Sequence, residues 1–186
     1  RGLGDVYKRQ RIYRPLDIIY ENSDVIFINK PSGMLSQKAK PEDVSLVEYL
    51  IAHLIHKGEL NAGDLASFKP GICNRLDRNT SGIVAAGKTT KGLQQLSEAF
   101  KLRTLGKYYL CIVKGSVDKR ALIKGYLYKD NKTNKVTISR TETKDSLPIE
   151  TEYIPVCSNG NVTLLKIHLL TGRSHQIRAH LASIGH

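Results

Sequence analysis

From Lys107 to Leu170 the chain is a succession of short runs rich in aromatic and β-branched residues, each closed by turn residues, which commits this half to hairpins. Lys107–Lys114, KYYLCIVK, reads as a strand. Ala121–Ile138 reads as a hairpin over the basic turn Lys129–Lys135, and Thr141–Pro148 as a polar connection. Ile149–Val156 and Val162–Leu170 form a second hairpin around Ser158-Asn159-Gly160-Asn161. That hairpin delivers the chain into a polar segment, Thr171–Leu181.

The N-terminal half alternates strands with helices. In Ile18–Lys30 an apolar run, Val25–Ile28, follows an Asn-Ser-Asp turn and is broken by Lys30-Pro31-Ser32-Gly33, which predicts a strand feeding a tight loop. Lys30 there could face phosphate or lie solvated. Val47, Leu50, Ile51, Leu54 and Ile55 recur at helical spacing, Ser45 and Glu48 have capping-box spacing, and Gly58 can end the helix. His53 and His56, three apart without an acid or cysteine partner, read as surface or boundary histidines. Gly58–Gly71 is a loop, Ile83–Ala86 a short buried strand, and Thr90–Arg103 a helix buried along Leu93, Leu96 and Phe100, with Lys101 and Arg103 near its negative end. Arg1–Gln10 has no clear period and is expected to be a foreign or disordered leader. No internal repeat or low-complexity segment is visible.

The chemistry concentrates in Asn74–Lys88, NRLDRNTSGIVAAGK, which sets one carboxylate, Asp77, between Arg75 and Arg78. In an extended segment Arg75 and Asp77 share one face and Arg78 takes the other, so one arginine can tune the acid while the other meets a ligand. The plain alternative is a solvated loop whose ion pair contributes under about 1 kcal/mol.

Lysine and arginine number 29 against 17 acids, a net charge of +12, which suits polyanion binding through phosphate contacts. The 40% hydrophobic content and 186 residues fit one globular domain with a core. No apolar run is long enough for a membrane helix, and a cytoplasmic protein is expected. Cys73, Cys111 and Cys157 are far apart and odd in number, which argues against a metal or disulfide framework.

Three stretches together resemble the RluA-type pseudouridine synthases. The family signature reads His-Arg-Leu-Asp-Arg-x-Thr-Ser-Gly, then an apolar strand and Ala-Lys; here Arg75, Leu76, Asp77, Arg78, Thr80, Ser81, Gly82 and Lys88 match, with Asn74 for the histidine and Gly87 for the alanine. The acidic turn, strand and Asn-Lys-Pro-x-Gly match at 22–33. The third motif matches at Thr171-Gly172-Arg173-Ser174-His175-Gln176-Ile177-Arg178-Ala179-His180-Leu181.

The resemblance implies a mixed α/β, α+β catalytic domain over residues 11–186, built on a long, mostly antiparallel sheet with its active cleft crossing the middle and incomplete at the C-terminal end. It implies isomerisation of uridine in structured RNA with Asp77 as catalytic aspartate, Arg178 as its cation and Tyr109, from the Lys-x-Tyr segment, against the base. At about 4 Å and an effective dielectric of about 20, such an arginine is worth on the order of 4 kcal/mol against the desolvation of the acid. Arg75 would hold the everted nucleotide; Arg78, Thr80, Arg173, His175 and Lys30 complete the expected substrate contacts. No cofactor or metal is needed, because no group enters or leaves. Large-subunit ribosomal RNA is the favoured partner and transfer RNA the alternative; no obligate protein partner is evident, a monomer is expected, and no RNA-binding S4 domain is visible.

Two other readings compete. Gly82–Thr89 spells Gly-x4-Gly-Lys-Thr, a nucleotide-binding phosphate loop, but Ile, Val, Ala and Ala between the glycines suit a strand better than a phosphate wrap. An inactive RNA-binding module would use the same basic surface without the acid. His175 and His180, five apart, lack a third zinc ligand, and one of them is expected to orient its loop.

Overall fold

The structure, a computed structural model, describes residues 12–61, 63–130 and 132–186. The expected leader, Arg1–Gln10, lies outside them. The chain divides after Thr104 into two compact units, each with its own sheet.

In the N-terminal unit β1 (Ile18–Glu21) and β2 (Val25–Lys30) form a hairpin, and β3 (Gly71–Ile72) and β4 (Gly82–Gly87) complete an antiparallel sheet of order β1-β2-β4-β3. Asn22 closes the hairpin turn, its Oδ1 accepting from the amides of Asp24 at 2.9 Å and Val25 at 2.8 Å. Strand β2 alternates strictly: Ile26, Ile28 and Lys30 are all 0% exposed. The segment that spells a phosphate loop is β4. Its residues pair one by one with β2, from Gly87 opposite Val25 to Gly82 opposite Lys30, so this backbone is committed to a sheet and cannot wrap phosphate.

The helix expected from Ser45 is α1 (Leu46–His56), with the Ser45–Glu48 capping box formed and Gly58 at φ +73° just beyond its end. Leu46, Leu50, Ile51 and Leu54 are buried to 2% exposure or less. His53 is buried with them, whereas a surface or boundary position was expected, because it falls on the same stripe, three residues after Leu50. His56 is exposed and stacks on Tyr13 at 4.1 Å between ring centroids.

A one-turn helix, α2 (Asp64–Ser67), leads to β3; α3 (Thr90–Lys101) follows β4. Thr89 caps α3 by accepting from the Gly92 amide at 3.1 Å and donates to Asp24 at 2.7 Å. Here helix and sheet touch backbone to backbone: a Cβ on Gly87 would collide with the Leu93 backbone, and one on Gly92 with the Asp24 carbonyl. The family's alanine at position 87 would not fit this approach without a shift. The stripe Leu93, Leu96 and Phe100 is half-buried, less than expected. Lys88 anchors the end of β4 in an ion-pair cluster, meeting Glu21 at 2.8 Å and Glu59, while Lys57 bonds the same two acids at 3.0 and 2.7 Å.

In the C-terminal unit β5 (Tyr108–Lys114), β6 (Ala121–Lys129), β7 (Val136–Ser139), β8 (Leu147–Ser158) and β9 (Val162–Leu169) form an antiparallel sheet of order β5-β9-β8-β6-β7. Both expected hairpins form, β6–β7 and β8–β9. The helix α4 (Gln176–Ala182) adds Leu181 to a core of Val113, Val117, Leu165, Ile167 and Leu169. The α+β expectation holds, with two antiparallel sheets where one long sheet was expected. No helix among the described residues is long and apolar enough to cross a membrane.

Candidate active site

Asp77 is half-buried in the loop joining β3 to β4, and that loop is fastened on both sides of it. On one side Leu76, 8% exposed, is gripped by Ser36, whose hydroxyl donates to the Leu76 carbonyl at 2.7 Å and accepts from its amide at 3.1 Å. On the other, the Arg78 carbonyl accepts from the Gly33 amide at 2.8 Å, and Arg78 Nε returns a bond to the Gly33 carbonyl at 3.2 Å. Ser32 Oγ donates to the Asn79 carbonyl at 3.0 Å, and the Thr80 amide closes a turn onto the Asp77 carbonyl at 3.0 Å. The Pro31–Ser36 loop is thus a main-chain clamp on the carboxylate's two neighbours. Strand geometry ends at Ile72, and Arg78 and Asn79 form a turn, so the expected extended segment with Arg75 and Arg78 on opposite faces does not form.

Lys30 does not lie at the surface. Its three ammonium protons meet three carbonyl oxygens, of Met34 at 2.8 Å, Pro31 at 2.9 Å and Arg78 at 3.2 Å, which leaves none for a phosphate. Burial pushes its pKa down, and the Asp77 carboxylate pushes it back up. A cation expected to touch substrate is therefore a buried charge bound to the acid's own loop. The strict alternation Ile26, Ile28, Lys30 signalled this in the sequence; the following Pro-Ser-Gly turn obscured it.

Asn74, in the place of the family's histidine, extends the sheet with its side chain, donating to the Ile83 carbonyl at 3.1 Å and accepting from the Ala85 amide at 2.8 Å. It thereby continues the edge that β3 covers for only two residues. Arg75 is exposed and Thr80 half-buried.

Tyr109, Arg173, His175 and Arg178 belong to the C-terminal unit. Tyr109 lies on β5 opposite Ile167, and its half-buried ring packs on the core together with Ile177 of α4. His175, in the left-handed region at φ 58°, begins α4 and contacts the Arg178 guanidinium through Nδ1. Arg178 is exposed, one turn into the helix.

What fixes this turn is Gln176, 2% exposed, which sequence reading missed. Its Oε1 accepts from Thr171 Oγ1 at 2.9 Å and the Arg173 amide at 3.0 Å; its Nε2 donates to the Glu150 carbonyl at 3.1 Å and Thr151 Oγ1 at 3.0 Å. All four bonding positions of the amide are used. Thr151 passes the chain on to Nδ1 of His180, also 2% exposed, at 2.9 Å. Burial lowers the His180 pKa, and a bond to the Lys124 backbone opposes that. A neutral imidazole that accepts from Thr151 and donates to Lys124 satisfies both contacts. His180 therefore ties α4 to strands β6 and β8, whereas one of the two histidines was expected to orient its loop. The one available signal was a glutamine beside small hydroxyl residues in a turn.

Among the described residues no group of three histidine, cysteine, aspartate or glutamate side chains is placed to hold a metal. The N-terminal unit presents a carboxylate between clamped neighbours with a buried ammonium in electrostatic reach; the C-terminal unit separately presents an arginine, a histidine and a tyrosine where α4 packs on its sheet.

Residues 24–183 match the family model described as RNA pseudouridylate synthase. Among curated proteins, the ribosomal large subunit pseudouridine synthase D of Borreliella burgdorferi is 35% identical over 170 residues, covering 90% of this chain and 51% of that protein. An uncharacterised RNA pseudouridine synthase of Aquifex aeolicus is 33% identical over 176 residues, covering 92% of this chain and 54% of that one. The chain thus spans about half the length of the curated relatives it matches. Among solved structures, human RNA pseudouridylate synthase domain containing 1 superposes with a TM-score of 0.72 at 21% identity, over 92% of this chain and 66% of that one. The human domain containing 4 protein gives 0.70 at 19% identity, over 98% and 67%. With a matched model over most of its length and the three motifs in order, the chain belongs to the RNA pseudouridylate synthase family, in its RluA-type branch.

Proposed function

We propose that this chain carries the catalytic machinery of an RNA pseudouridine synthase that isomerises uridine in structured RNA, with Asp77 as its essential acid. The observation that carries the reading is the clamp: a half-buried acid whose two neighbours are held by a second loop, with a fully buried lysine bonded to the carbonyl of Arg78 next to it. A surface ion pair has no need of such fastening.

The reaction breaks the bond from C1′ of the ribose to N1, turns the base, and joins C1′ to C5; the proton leaves C5 and N1 ends protonated. Nothing else is exchanged, so no cofactor is required. Asp77 acts at the sugar carbon or on the proton in transit, and prior positioning is what a carboxylate needs in either role. Arg178 is assigned as the cation that keeps the acid ionised on substrate binding, with His175 setting its side chain. Tyr109 lies against the base. Arg75 keeps the nucleotide everted, and Arg78, Thr80 and Arg173 meet the strand. Lys30 is assigned a structural and electrostatic role at the Asp77 loop in place of a phosphate contact. Large-subunit ribosomal RNA is the favoured substrate, supported by relatives in Borreliella burgdorferi and Zymomonas mobilis named for that activity.

Incubating the protein with ribosomal and transfer RNA transcripts and mapping pseudouridine by chemical labelling tests this. New pseudouridine at a defined ribosomal position is expected. Tight RNA binding without conversion of either RNA would overturn it in favour of a binding module.

A further inference from the structure

Against the outer side of the clamp lies an open pocket of about 460 Å³, wholly within the N-terminal unit, which shares Pro31–Leu35 and Arg78 with it. Its walls include Arg14, Gly33, Glu42, Asp43, Tyr49 and Arg78. The Arg14 guanidinium lies over the Tyr49 ring, 5.3 Å from its centroid. Arg78 is fixed at its Nε by the Gly33 carbonyl, which restricts where its terminal nitrogens can go. Asp43 is already occupied: its carboxylate accepts from the amides of Lys40 at 2.8 Å and Ala39 at 3.0 Å. Those amides, and more weakly Arg78, hold its pKa below the usual carboxylate range. Glu42 is exposed at the rim.

The lining combines two guanidinium groups, one of them stacked on the Tyr49 ring, and the exposed Glu42 carboxylate, in a volume suited to one small ligand. A hydrocarbon would leave those charges desolvated and unpaired. A nucleotide uses all of them: its phosphate answers arginine, its base stacks on the planar arginine–tyrosine pair, and its ring N–H or amino groups can donate to the carboxylate. Arg78 directly follows Asp77, and the pocket shares the Pro31–Leu35 loop with the clamp, so it lies within one nucleotide's reach of the Asp77 loop.

We propose that the Arg14–Tyr49–Arg78 pocket is a subsite for a nucleotide flanking the target uridine, contributing to the choice of RNA. The inference rests on the synthase reading of Asp77.

The test measures turnover of an oligonucleotide substrate by wild-type protein and by Arg14→Ala, with the nucleotides flanking the uridine intact or made abasic one at a time. Arg14→Ala is expected to raise KM about tenfold while kcat stays within twofold, and Arg14→Lys to recover part of the loss. One abasic position should raise KM for wild-type protein and have little further effect on Arg14→Ala, because both changes remove the same contact. Wild-type KM for Arg14→Ala with a normal unfolding curve, or fully additive losses at every abasic position, would overturn the subsite alone. Wild-type protein that binds RNA and makes no pseudouridine would overturn the underlying reading and the subsite with it.

Discussion

The two units hold their proposed functional groups by different means. Around Asp77 the ties run to main-chain carbonyls and amides, through Ser32, Gly33, Ser36 and Lys30. Around Arg178 they run through side chains, from Thr171 to Gln176 to Thr151 to His180. A main-chain clamp with many ties tolerates the loss of any exposed one. A buried side-chain network does not, because each deletion strands its neighbours without partners.

The contrast breaks most visibly at Gln176. Gln176→Leu keeps the volume and deletes four bonds, leaving Thr151 and the Glu150 carbonyl short of partners; a loss of roughly 3 kcal/mol in urea unfolding is expected. A loss below about 1 kcal/mol would show that the network does not hold the corner.

Lys30→Met comes next. It removes a buried cation while keeping the stem, and leaves three carbonyls without their shared donor, so a cost of about 2 kcal/mol is expected. Activity is expected to fall more than tenfold, because the Asp77 loop loses an anchor and the acid loses a nearby positive charge. Unchanged kinetics would place the lysine outside the site's electrostatics.

Histidines sharpen the comparison by pH. His180 has partners on both ring nitrogens, whereas neither nitrogen of buried His53 has a hydrogen-bond partner among the described residues. Burial is the first cause lowering the His53 pKa, with Lys57 and Lys88 acting in the same direction and Glu21 and Glu59 against it. With the folded pKa below the unfolded value of about 6.5, the folded state binds fewer protons. This stabilising contribution is complete above about pH 6.5 and is lost as pH falls through the folded pKa, with a slope of at most ~1.4 kcal/mol per pH unit. Thermal melts from pH 8 to pH 5 should show His53→Leu with a shallower acid-side decline than wild type. Equal slopes would remove His53 from the account.

The smallest change is expected at Ser32→Ala, which deletes one exposed tie to Asn79 and should cost about 0.5 kcal/mol, with turnover within threefold. A cost as large as that at Gln176 would erase the distinction between clamp and network.

Much of this was legible in the sequence where a local rule decides it. The Ser45–Glu48 box, the strand Ile83–Ala86 and the two hairpins follow from spacing and turn residues, and all of them form. Which face of β5 turns inward was not legible, because Tyr108–Val113 is apolar or aromatic on both faces; the structure puts Tyr109 on the core side, with Cys111 and Val113. What escaped is what depends on partners far along the chain. Ser36 and Leu76 are forty residues apart, and Gln176 meets Thr151 across twenty-five. No local pattern encodes such pairs. Lys30 and His53 were misplaced for another reason: charge and polarity argued for the surface, while strand and helix periodicity put both with buried aliphatic neighbours, and periodicity won.

The central claim is that one fixed carboxylate performs the chemistry. Single-turnover formation of pseudouridine by Asp77→Asn, measured beside its RNA affinity, tests it most directly, because asparagine keeps shape and hydrogen bonding and removes the charge. The account predicts no detectable product with affinity within a few fold of wild type; product formed at anything near the wild-type rate would contradict it.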